Sequence, residues 1–282
     1  VPIERPEGPH MGRVTERRRV VRLRDGRRDT RPDALAAEEP LEIRVGGRSL
    51  AMTMRTPGDD FDLVAGYLVA EGVVASGEDL PTLRYCAGTN AEGENTYNVV
   101  DARVADPTAV PVSAYRQLLT TSACGLCGAE TVDAVQKRLR YDLAADDLKI
   151  TADMLYSFPD ALRTGQRAFA TTGGVHAAGL FTAEGRLLCV REDVGRHNAV
   201  DKVIGWALRE GLLPLHRHAL MVSGRASFEL VQKAAMAGIP LLAAVSAPSA
   251  LAVDLATETG MTLVGFLRDR SANVYAGADR IA

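Results

Sequence analysis

Residues 218–268, HALMVSGRASFELVQKAAMAGIPLLAAVSAPSALAVDLATETGMTLVGFLR, alternate short unbroken apolar runs with longer helical patterns. HALMVSG, IPLLAAVS and MTLVGFLR read as strands. SFELVQKAAMAG and APSALAVDLATETG read as helices that close on Gly238 and Gly260, where a left-handed residue stops a helix. Strands that are apolar on both faces need cover on both faces, so this stretch predicts an α/β sheet between helical layers. In such sheets ligands sit beyond the strands' carboxyl ends. The polar turns there are Arg191-Glu192-Asp193, Ser223-Gly224-Arg225 and Ser246-Ala247-Pro248.

Upstream, GRHNAVDKVIGWALREG (195–211) is helical and HAAGLFTAEGRLLCV (176–190) is a hairpin turning at Glu184 and Gly185. ADMLYSFPDALR (152–163) opens this unit as a helix. Before it, LEIRVGG and LAMTMRT form paired strands about Gly46-Gly47, DDFDLVAGYLVAEGVV (59–74) is an amphipathic helix, and residues 86–100 return to turn and strand signals. The expected organisation is a basic, flexible arm over 1–31, a small α+β subdomain over 32–148, and an α/β domain over 149–282. Part of residues 1–10 is read as upstream or added sequence, with Met11 as the native start.

The formal charge of −3 conceals an asymmetry: residues 1–31 hold ten Arg against five acids, leaving −8 for the rest. Terminal charge runs are usually solvated, so nucleic acid is not the expected partner. The chain carries neither a signal-peptide pattern nor eighteen consecutive apolar residues, so the expectation is a cytoplasmic protein that avoids membranes.

Four cysteines, Cys86, Cys124, Cys127 and Cys189, are too sparse for a disulfide framework. Cys124 and Cys127 stand on a small-residue loop, TTSACGLCG, with the helical pattern AETVDAVQKRLR behind it. A following helix N-terminus favours thiolate. By spacing alone the pair suits zinc, sulfur or redox chemistry, or a structural role. Zinc needs two more ligands, and His216 and His218 read as surface residues. A thioredoxin-like motif belongs after the first strand of its domain rather than here. A zinc deaminase needs Glu two residues after its His and Pro before its first Cys; Ala178 follows His176 at that spacing, Ala123 precedes Cys124, and the order is reversed.

REDVGRHNAVDK packs Arg191, Glu192, Asp193, Arg196, His197, Asp201 and Lys202 about a Gly turn, a grouping suited either to phosphate and ring recognition or to a salt-bridged helix start. Ser223, Gly224 and Arg225 repeat the theme, with Ser227 as ligand contact or helix cap and Glu229 behind it. Gly173 and Gly174 allow close backbone approach beside His176 or form a plain turn. Arg268 and Arg270 end the last strand, facing phosphates or water.

Taken together, EEPLEIRVGG, TPGDDFDLVAGYLVAEGVV, TSACGLCG, GGVHAAGLF, REDVGRHNAVDKVIG, the run from Ser223 to Ala256, and TLVGFLRDRSANVY resemble, in this order, the FdhD family of formate dehydrogenase accessory sulfurtransferases. The resemblance runs from about Glu39 to Tyr275 and does not reach the arm. It implies a cytidine-deaminase-like three-layer α/β fold without deaminase chemistry. It further implies a homodimer that takes persulfide sulfur from a cysteine desulfurase and passes it to the bis-molybdopterin guanine dinucleotide cofactor of formate dehydrogenase. On this sequence, Cys124 matches the persulfide carrier and Cys127 its partner. Phe266, Leu267, Arg268, Asp269, Arg270 and Ser271 match the cofactor-binding stretch. Arg191, His176, Ser223, Arg225 and Asp193 are expected to join it, with the arginines on phosphates and Asp193 or Glu229 on guanine. GDP should mimic the cargo, and no permanent metal is expected. Two rivals stand beside this reading: a cofactor-binding chaperone that does not handle sulfur, and a zinc-stabilised nucleotide-binding module.

Overall fold

A computed structural model describes residues 14–86, 96–110, 135 and 138–282. The core is a six-stranded mixed sheet in the order β12-β11-β10-β9-β7-β8. Its strands are β7 (His176–Thr182), β8 (Leu187–Asp193), β9 (His218–Val222), β10 (Leu241–Ala244), β11 (Thr262–Arg268) and β12 (Ser271–Ala276). β9, β10 and β11 are parallel, the condition on which the polar turns would share an edge. β7 runs against both β8 and β9, so β8 lies parallel to the central three. The three polar turns therefore share one edge of the sheet, together with His176 at the amino end of β7.

The strands' two-sided apolarity is matched by two cores. Ala177, Phe181, Met221, Ala243 and Leu267 pack under α2 (Ala152–Gly165), where Phe158 stacks on Phe181 with ring centroids 4.1 Å apart. Thr151 caps α2 by accepting from the Met154 amide. On the other face Ala178, Leu180, Leu220, Leu242 and Leu263 meet α4 (Arg196–Arg209), α5 (Phe228–Met236) and α6 (Ala250–Thr259). A short helix, α3 (Arg167–Thr172), follows α2 and ends on Gly173 at φ +67°.

The amino-terminal half forms a second sheet, ordered β4-β3-β6-β5, from β3 (Glu39–Val45), β4 (Arg48–Arg55), β5 (Thr82–Tyr85) and β6 (Val99–Arg103). Gly46 and Gly47, both at positive φ, make the expected β3–β4 turn. This sheet packs on α1 (Asp60–Ala70), and α1 lies directly on α4. At the crossing a Cβ on Gly66 would stand 1.8 Å from the carbonyl oxygen of Asp201, and one on Gly205 1.8 Å from that of Asp62. One apolar core, from Leu41 through Leu63 and Val203 to Leu263, runs across the expected boundary at 148/149, so that boundary divides topology but not the core.

The expected arm over 1–31 is described from residue 14 onward. Residues 15–36 form an antiparallel ribbon, β1 (Thr15–Arg24) and β2 (Arg27–Ala36), turning at Asp25 and Gly26, both at positive φ. Among the described residues no helix is long and apolar enough to cross a membrane. Cys124, Cys127 and their loop, with most of the helical pattern behind them, lie outside the described residues.

Candidate functional site

At the carboxyl edge a groove of about 560 Å³ opens between α2, α3 and the ends of β7, β9, β10 and β11. His176, Ser223, Leu267 and Arg268, four of the residues expected from sequence, line it. Gly173 and Gly174 form one wall, where the absence of side chains leaves room. His176 is half-buried; burial first, then the charges of Arg196 and His197, hold its pKa below that of an ordinary histidine, which keeps it neutral near pH 7. The Ser223 hydroxyl accepts from the Ala177 amide at 2.9 Å while its own amide donates to Ala177 O, so this serine ties β9 to β7 at the groove floor. Arg268 is exposed and has no ion-pair or hydrogen-bond partner among the described residues, so its guanidinium is available to an anion.

The hairpin joining β11 and β12 explains this placement. Arg268 pairs with Ser271 across Asp269 and Arg270, whose φ values of 50° and 55° mark a two-residue primed turn. Phe266 also takes positive φ, at a bulge where its amide donates to Ser246 O, a conformation costing about 1–3 kcal/mol. The bulge turns Leu267 wholly into the core and leaves Phe266 37% exposed. Arg270 does not join the groove: it lies 2.6 Å from Asp153 and over the Tyr156 ring, fastening the hairpin tip to the start of α2. Asp269, Ser271 and Arg225 are exposed at the same end of the sheet.

Two expected ligand residues are otherwise engaged. Asp193 is fully buried; its carboxylate accepts from the amides of Gly195 (2.8 Å) and Thr56 (3.2 Å) and from Asn198 Nδ2 (3.0 Å), and it lies 2.8 Å from Lys202 Nζ. With its lone pairs spent, it holds α1's approach loop to α4 and has no capacity left for guanine. Arg191 donates to Asp62 at 2.8 Å and lies 3.5 Å from Asp59, lining a separate cavity of about 780 Å³ beyond β8. The residues read as one ligand cluster thus split: Asp193, Lys202 and Arg191 tie the two halves of the chain together, whereas Asp201 accepts from Lys233 at 2.7 Å within the second half. Glu192 accepts from the amides of Ala168 and Phe169 at the start of α3. Glu229 lies 2.6 Å from His197 Nε2, and that hydrogen bond, against burial, lowers its pKa. Ser227 sits at the N-cap of α5 without a capping bond, and its hydroxyl is 3.4 Å from His197.

Sequence reading missed the opposite wall of the groove: Arg163, whose guanidinium lies 4.6 Å over the Phe169 ring, and Gln166, at the junction of α2 and α3. RAFATTGG carried one signal, a short helical run stopped by Gly173. The surface assignment agrees with the structure for His216, half-exposed against Asp146, while His218 is partly buried at the start of β9. Cys189 is buried on β8, and burial pushes its thiol pKa up to about 12.

The fold and groove define a mixed α/β protein with an open anion-suited groove on the strand carboxyl edge. Within that class the chain belongs to the FdhD/NarQ family, whose model matches residues 36–282. It is 62% identical over 274 residues to a sulfur carrier protein FdhD of Streptomyces coelicolor, covering 96% of this chain and 97% of that one. It is 55% identical to the protein of the same name in Mycobacterium tuberculosis, over 96% of this chain and all of the other. A crystal structure from Desulfotalea psychrophila, described as a formate dehydrogenase accessory protein, superposes with a TM-score of 0.74 at 25% identity, covering 95% of this chain and all of that one.

Proposed function

We propose that this protein is a sulfur carrier for formate dehydrogenase, loading sulfur onto the bis-molybdopterin guanine dinucleotide cofactor as its substrate. The observation that carries the reading is full-length similarity, at up to 62% identity, to proteins named sulfur carriers. The groove supports it: exposed Arg268 and half-buried His176 flank a space roomy enough for a nucleotide. Arg268 holds a phosphate, and neutral His176 offers a ring nitrogen to the base or ribose.

Cys124 thiolate attacks the outer sulfur of a cysteine desulfurase persulfide; a new S–S bond forms on Cys124 and the donor leaves as thiolate. Cys127 thiolate then attacks the Cys124 sulfur, which releases sulfide to the cargo and leaves a Cys124–Cys127 disulfide to be reduced by cellular dithiols. The protein acts in the cytoplasm as a homodimer.

Intact-mass measurement after incubation with desulfurase and cysteine should show a gain of about 32 Da per sulfur, lost in Cys124→Ala. Calorimetry with GDP should show binding that Arg268→Ala weakens about tenfold, as for loss of one charge-assisted contact. Unchanged loading of Cys124→Ala, or no GDP heat at millimolar concentrations, would overturn the corresponding half. Normal dehydrogenase activation by the double Cys124→Ala, Cys127→Ala variant would favour a chaperone that never handles sulfur.

A further inference from the structure

The β1–β2 ribbon lies outside the stretch matched by the family model apart from its last residue, so the function proposed above leaves it unexplained. Its register is regular from Thr15↔Ala36 to Arg24↔Arg27, which separates its side chains cleanly between two faces. One face carries Arg18, Arg22, Arg24, Arg27 and Arg31, offset by Glu16, Asp29 and Asp33. The other carries Arg17, Arg19 and Arg28 and no acid. On that acid-free face Val21 and Leu23 are 48% and 76% exposed. A two-stranded ribbon is marginal in water by itself, so an apolar seam flanked by arginines with no acid on their own face of the ribbon is a surface that gains by being covered.

The ribbon's root is beside the groove. β2 packs on α3, and a Cβ on Gly174, in the groove wall, would meet Ala36 Cβ at 3.5 Å. We propose that the ribbon is a docking arm whose acid-free face holds an acidic surface of the protein receiving the cargo, placing that recipient at the groove mouth. This rests on the carrier function proposed above. The exposed Val21 and Leu23 fit a protein interface, whose centre is apolar and whose rim is charged. The ribbon has no aromatic side chain on which nucleic-acid bases could stack, and its other face carries three carboxylates.

The test measures binding of the full chain to cofactor-free formate dehydrogenase from the same cell by biolayer interferometry. The triple variant Arg17→Glu, Arg19→Glu, Arg28→Glu should bind at least about tenfold more weakly, and wild-type binding should weaken steeply with salt. Reversal of Arg18, Arg22 and Arg27 on the opposite face should cost less than about threefold. Circular dichroism establishes folding, and the neutral variant Arg17→Gln, Arg19→Gln, Arg28→Gln gives a second measure should charge reversal disturb the ribbon. GDP affinity and sulfur loading of the acid-free-face variants should equal wild type, which separates failure of docking from failure of the carrier function. Equal dehydrogenase binding by wild type and triple variant, or none by wild type, overturns the proposal. So does tighter binding to duplex DNA than to the dehydrogenase, or conversion of a dimer to a monomer by the triple variant, since the arm would then serve nucleic acid or a second copy.

Discussion

Gly66→Ala and Gly205→Ala probe the contact on which both halves of the molecule depend. In an exposed helix interior, replacing Gly with Ala stabilises by about 1 kcal/mol, because Ala loses less backbone entropy on folding. At the α1–α4 crossing the sign should reverse. The new methyl would stand 1.8 Å from a backbone oxygen in either variant, against the 3.0 Å that real Cβ atoms keep, so the helices must part by roughly 1.2 Å. Neither obstacle is a side chain that can swing away. A gap of that size forfeits about half of the dispersion attraction or more across the contact. Overpacking strain of about 3 kcal/mol, less about 1 kcal/mol of helix propensity, leaves a net loss near 2 kcal/mol. For a chain of this size that lowers Tm by about 3 °C. Urea unfolding followed by circular dichroism reads the same loss as a lower midpoint at unchanged slope. Because one separation relieves both clashes, the double variant should lose clearly less than the sum of the singles. A Tm equal to or above wild type in either single variant, or strict additivity in the double, would refute the close-crossing account.

Asp193→Asn should destabilise by about 3–5 kcal/mol in urea melts, because it leaves Lys202, 1% exposed, without its carboxylate; GDP affinity of the folded fraction should hold, and its selective loss would return Asp193 to the ligand site. His176 should titrate below 6.5 by NMR. Its folded pKa is depressed, so the stability it contributes is present above 6.5 and is lost as pH falls through the folded value; His176→Gln should flatten the stability slope there, and an unaltered slope would count against the burial argument. Cys189, with its thiol pushed up to about 12, should resist iodoacetamide in native protein near pH 8 while reacting in urea, as peptide mass spectrometry would show. Native-state alkylation at the denatured rate would show that the thiol is not buried.

The strands and helices from His176 to Arg268 were legible because each carries its own signal: apolar runs of strand length, Gly238 and Gly260 as helix stops, and Glu184-Gly185 as a hairpin turn. The gathering of the polar turns at one edge was legible on the condition that the strands run parallel, which β9, β10 and β11 do. The antiparallel course of β7 was not, because a buried strand reads the same in either direction. The ribbon escaped because arginine-rich composition resembles a solvated tail, while its pairing depends on partners up to twenty-one residues apart, Thr15 with Ala36.

By itself, then, the sequence determined the alternation of elements, the polar turns that gather at the strands' carboxyl edge, and the spacing of the Cys124 and Cys127 pair. Only the tertiary structure decided which charged residues face that edge. Arg268 and Asp193 look equally available as letters, yet a hairpin leaves one guanidinium in solvent, whereas the α1–α4 crossing surrounds the other's carboxylate with Lys202, Asn198 and two backbone amides. Burying a charge requires paying for its lost hydration with partners from distant parts of the chain, and no local pattern records which partners arrive.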